Sequence, residues 1–91
     1  MAGQADVTVD FGSSFVTEKE FTVTDANITT ASVIECFVQG DSTVDNDTNA
    51  HVYAARSLRF CATPASGSFT LNVSCHIGMC SGTFKIRYAY V

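Results

Sequence analysis

The 91-residue chain has no tryptophan, one proline, and only five lysines and arginines against nine aspartates and glutamates. The shortage of basic residues excludes a nucleic-acid footprint. Net charge is −4 and the cations are not clustered, so nothing would neutralise phosphates. No run approaches the roughly 18 apolar residues that a helical membrane span needs. The opening, Met1-Ala2-Gly3-Gln4-Ala5-Asp6, contains neither a basic nor an apolar segment. No secretory leader is therefore expected, and synthesis in a reducing cytoplasm is. Charged residues make up only 15% of the chain, and Thr, Ser and Asn fill the polar positions. A surface of that kind suits contact with protein or carbohydrate.

Chemistry-bearing motifs are equally scarce. There is no Gly-x-Ser-x-Gly, no Cys-x-x-Cys and no phosphate-cradling glycine loop. The two histidines, His51 and His76, have no nucleophile at a readable spacing, so no catalytic residue is assigned and a non-enzymatic protein is expected. No cofactor is expected either. Sequons at Asn27, Asn46 and Asn72 would be glycosylated only in a secreted chain.

What the chain does have is period-two alternation. Phe69, Leu71, Val73 and Cys75 fall on one face of the 67–75 segment, and Phe84, Ile86, Tyr88 and Tyr90 on one face of 82–91. Alternation of this kind buries one row and wets the other. The two arms read as a long antiparallel pair. Earlier strands are expected at 7–11 and 15–24. A third, at 32–39, carries Val33 and Phe37 on one side and Ile34, Cys36 and Val38 on the other. Being apolar on both faces apart from Glu35, which interrupts its row, it needs a second covering, which another subunit would supply. Residues 50–55 and 58–62 read as one or two further strands, broken near Arg56, and 63–67 as a turn. No helical period beyond about two turns and no internal repeat are visible.

The expected fold is therefore all-β: a small antiparallel β-sandwich of six to seven strands. A polar tail at 1–6 precedes a single domain at 7–91. A chain of this length buries only about 60–65% of its unfolded surface, so an oligomer or a staple is expected. The candidate subunit interface is Val33, Phe37, Tyr88, Tyr90 and Val91.

Two polar clusters remain. The loop at 40–49 holds Asp41, Asp45, Asn46, Asp47 and Asn49. Asp45, Asp47 and Asn49 match the opening of a calcium loop, but Ala50 stands where glycine is needed and Arg56 where the bidentate glutamate belongs. With His51 and His76, these loop residues are candidate contacts for a partner or a sugar. The second cluster, Cys75-His76 and Cys80, is a fragment of a zinc set without its remaining ligands, so no metal site is assigned. Cys75 and Cys80 are close enough in sequence for a disulfide across the loop, while buried thiols are the alternative for all four cysteines.

The run Val9-Asp10-Phe11-Gly12-Ser13, then Phe21-Thr22-Val23-Thr24-Asp25, resembles the opening of small all-β domains of bacteriophage virion proteins. Their closing arms are similar to Gly67-Ser68-Phe69-Thr70-Leu71 and Gly82-Thr83-Phe84-Lys85-Ile86-Arg87-Tyr88 here. The resemblance runs from about Val7 to Val91. Strand order and length also look similar to H-type lectin domains, trimeric six-stranded sandwiches that bind sugars between subunits; their terminal tryptophan is missing here. The resemblance implies a homotrimeric virion module, a capsid decoration or fibre protein or a tail-fibre tip. Other virion proteins would be its partners, with a host-surface glycan as a further one. The alternative it implies is a carbohydrate-binding lectin-like module.

Overall fold

The computed structural model describes residues 3–38, 40–75 and 79–91. They form six strands and one helix: β1 (Gly3–Asp10), β2 (Glu18–Thr24), β3 (Ile34–Val38), α1 (Thr48–Ser57), β4 (Leu58–Ala65), β5 (Ser68–Cys75) and β6 (Thr83–Tyr90). All pairings between these strands are antiparallel. Two three-stranded sheets result, ordered β1-β6-β3 and β2-β5-β4.

The strong alternation of β5 and β6 reflects their position at the centre of each sheet. They do not pair with each other, contrary to the expectation of a long hairpin. β5 pairs with β2 and β4, whereas β6 pairs with β1 and β3. Their apolar rows meet across the interior instead: Phe69 and Tyr88 pack edge to face with ring centroids 4.9 Å apart. Phe69, Leu71, Val73, Phe84, Ile86 and Tyr88 all belong to one apolar cluster, joined by Val9, Phe11, Val23 and Ile28. Burying such a cluster is the main favourable term in folding.

β4 and β5 form a hairpin with a two-residue loop, where Ala65 faces Ser68 across Ser66-Gly67. Gly67 takes φ of +76°, which side chains other than glycine rarely adopt. Thr63 and Pro64, expected in this turn, belong to β4. Proline is tolerated there because β4 is an edge strand.

Two further expectations are corrected. β1 begins at Gly3, so the described residues of the supposed 1–6 tail pair with β6: Gly3 opposite Tyr90, Ala5 opposite Tyr88. And 48–57 is helical, not extended. Asp47 caps the helix, its carboxylate accepting the Ala50 N–H at 2.8 Å. Ala50, Ala54 and Ala55 favour helix, and Ala50, Ala54 and Leu58 lie on the core-facing side. The third strand spans Ile34–Val38; the expected terminus at Gln39 lies outside the described residues.

Candidate functional site

The loop before α1 is a latch between the helix and the start of β6. Thr43 Oγ1 donates to the Thr83 carbonyl at 2.7 Å. Asn46 Nδ2 donates to the same carbonyl at 2.8 Å and to that of Ser81 at 3.2 Å. Asp45 Oδ2 accepts from the Thr83 N–H at 3.1 Å and from its hydroxyl at 3.0 Å. Asp47 is occupied as the helix cap. Asp41 pairs with Lys85 at 2.9 Å, and this contact, helped by the Ser42 N–H, holds its carboxyl below the ordinary 3.8. Of the expected contact residues in this stretch, only Asn49 is an exposed residue with no such structural duty shown.

His51 is placed differently from the expectation of a contact residue at a loop edge. It is fully buried on α1. Its Nε2 accepts the Lys85 backbone N–H at 3.0 Å, and its Nδ1 lies 2.9 Å from the Asp47 carbonyl. Since the Lys85 N–H is a donor, Nε2 must be the unprotonated nitrogen and Nδ1 must carry the hydrogen. Phe84 packs against the ring at 5.1 Å. Both nitrogens are committed to backbone, which leaves neither for a proton transfer, a metal or a sugar. His76 lies outside the described residues. Among the described residues no group of three or more His, Cys, Asp or Glu side chains could hold a metal ion.

An apolar cleft of about 230 Å³ opens between α1 and the segments flanking it. Phe15, Tyr53 and Met79, all more than half exposed, stand at its rim. Cys75, Cys80, Ala54 and Phe84 also line it. Backbone bonds place the two cysteines: Cys75 N–H donates to Thr17 O at 2.7 Å, and Cys80 and Val16 exchange both of their bonds at 2.9 Å. The structure carries Cys75 and Cys80 as thiols.

The candidate interface residues separate into two sets. Val33, Phe37 and Val91 lie on the outward side of the β1-β6-β3 sheet and are 63%, 43% and 57% exposed. Val33 and Val91 exchange backbone bonds at 3.1 and 3.4 Å, which holds the two side chains together. Tyr88 and Tyr90 belong to the opposite side. Tyr88 is buried, and its hydroxyl donates to Asp25 Oδ2 at 2.7 Å. Burial, with this carboxylate second, pushes the phenol pKa far up. Tyr90 covers Gly3, where a Cβ would collide with its ring. The alternation of β6 assigned these tyrosines to the inner row; expecting them at an outer interface as well conflicted with that period. Ala89, between Tyr88 and Tyr90 and opposite Glu35, is the β6 neighbour of this row and is itself buried.

Comparison with family models, with curated proteins and with solved structures finds no match for this chain.

Proposed function

We propose that this chain is a non-enzymatic structural module of a bacteriophage particle, a trimeric β-sandwich that acts by packing against its own copies and neighbouring virion proteins. One observation carries the reading: the outward row of Val33, Val91 and Phe37 on the edge strand β3 and the adjoining end of β6. An edge strand with exposed apolar side chains invites association unless a partner covers it. The rest of that sheet face is guarded by polar residues, with Arg87 held to Asp6 at 2.7 Å and Lys85 to Asp41 at 2.9 Å. The apolar row thus runs along the outward side of β3, interrupted by Glu35, with Val33 beside Val91 at one end and Phe37 opposite Arg87 at the other. The similarity of the 67–71 and 82–88 arms to virion domains supplies the context.

A sugar-binding module would use the polar loop before α1. The side chains of Asp45, Asn46 and Asp47 already serve the loop, β6 and the helix cap, so the packing reading is preferred.

Two measurements test the proposal. Sedimentation should give three times the chain mass, and the Val33→Lys/Phe37→Lys double variant should sediment as a folded monomer. A wild-type monomer would overturn the trimer. The chain should also co-purify with intact particles through a density gradient; recovery only in the soluble lysate would overturn the virion role.

A further inference from the structure

Cys75 ends the central strand β5, and Cys80 follows after four residues. Thr17 and Val16, adjacent in sequence, hydrogen-bond to Cys75 and Cys80 respectively. The segment before β2 thus touches both cysteines, Cys75 in continuation of the β2–β5 pairing and Cys80 through an isolated bridge. Both line the same cleft beside Met79 and Phe15. We propose that Cys75 and Cys80 form a reversible disulfide that clips the ends of the insert between β5 and β6, made when the protein leaves a reducing compartment. The inference is independent of the virion reading, since it needs only an oxidising environment.

The geometry supports this pair over the others. Cys61 lies on the outward side of the edge strand β4, opposite Asn72, and faces solvent. Cys36 is on the inward side of β3 in the other sheet, where burial pushes its thiol up to about 11. Neither side chain lines the cleft that Cys75 and Cys80 share.

The chemistry needs an oxidant of the small-molecule disulfide class, such as oxidised glutathione. The Cys75 thiolate attacks one sulfur of that disulfide, its S–S bond breaks, and one small thiol leaves. The Cys80 thiol loses its proton to solvent and attacks the Cys75 sulfur of the mixed disulfide, expelling the second small thiol. Two cysteine thiols are oxidised and one small disulfide is reduced, so the electrons balance. Cys75 starts the exchange because it is the more exposed of the two. Burial, reinforced by contact with Cys75, pushes the Cys80 thiol up to about 12 in the dithiol; burial still raises it in the mixed disulfide, so the closing step accelerates as pH rises.

The test equilibrates the native protein with oxidised glutathione, quenches with acid, and combines thiol titration after unfolding with peptide mapping. The thiols of Cys75 and Cys80 should be lost, with one crosslinked peptide joining them and no glutathione retained on either. Cys80→Ser should instead trap glutathione on Cys75. Persisting Cys75 and Cys80 thiols, a crosslink through Cys36 or Cys61, or a stable glutathione adduct on Cys75 or Cys80 in the wild type would each overturn the proposal. The wild-type map is decisive even if the serine variant fails to fold.

Discussion

His51 Nε2 accepts the backbone N–H of Lys85 at 3.0 Å, which ties α1 to the interior of β6 through a single buried imidazole. The ring fills core volume and satisfies a strand N–H at the same time. His51→Ala removes both, leaving a cavity beside Phe84 and an unpaired backbone donor. The expected loss is about 2–4 kcal/mol of unfolding free energy, read from urea denaturation. The same contact fixes the tautomer. Nitrogen-15 NMR should show Nδ1 protonated and Nε2 bare; the reverse assignment would refute this account of the latch.

Tyr88 and Asp25 provide a pH-dependent contact. The Tyr88 hydroxyl, followed by the Asn27 N–H, lowers the Asp25 carboxyl below its ordinary 3.8. A depressed folded value means that the charged form stabilises the fold above 3.8, and that this contribution disappears as pH falls through the folded value. Tyr88→Phe should therefore cost about 1 kcal/mol at neutral pH, toward the low end for a bond to a charged group because Asp25 is near solvent. The gap between variant and wild type should narrow on acidification below the ordinary carboxylate value. A gap that stays constant with pH would show that the hydroxyl acts without the charge.

Asp47 and Asp45 carry structure, so adding calcium should not move the thermal midpoint. Asp47→Ala should lower stability by about 1 kcal/mol through loss of the helix cap. A calcium-dependent rise in the midpoint, abolished by the same substitution, would reinstate an ion site in this loop.

Much of the sheet content was legible in the sequence, because alternation reports which face of a strand is buried. β5 follows that pattern throughout, and β6 does so as far as Tyr88, after which Ala89 is buried as well. Alternation does not report which strand lies alongside, and here the two central strands face each other across the core, as Phe69 and Tyr88 do. The helix was missed for a different reason. Its buried side includes His51 and Ser57, which read as polar, while Val52 and Tyr53 are exposed. The readable signals were local: an Asp47 cap three residues before Ala50, then three alanines within six residues. The candidate contact residues were chosen for polarity alone. Polarity cannot distinguish a carboxylate awaiting a ligand from one already bonded to Thr83.

Gly67 and Gly82 separate backbone strain from crowding. Both have positive φ, +76° and +73°. A Cβ on Gly67 would meet open space, whereas one on Gly82 would lie 2.7 Å from Asp45 Cβ. Gly67→Ala should thus cost only the conformational penalty, about 1 kcal/mol. Gly82→Ala pays that penalty and also pushes on the latch. Because Gly82 exchanges backbone bonds with Phe11 and Gly12 at 2.8 Å, it cannot retreat without breaking the link between the end of β1 and the start of β6. The second variant should therefore lose about 2–3 kcal/mol, adding the close contact to the strain. Pairing Gly82→Ala with Asp45→Gly should recover part of that loss, because the colliding Cβ is then gone along with the grip on Thr83. Equal losses for Gly67→Ala and Gly82→Ala would mean that the latch yields freely and that the loop before α1 does not hold β6 in place.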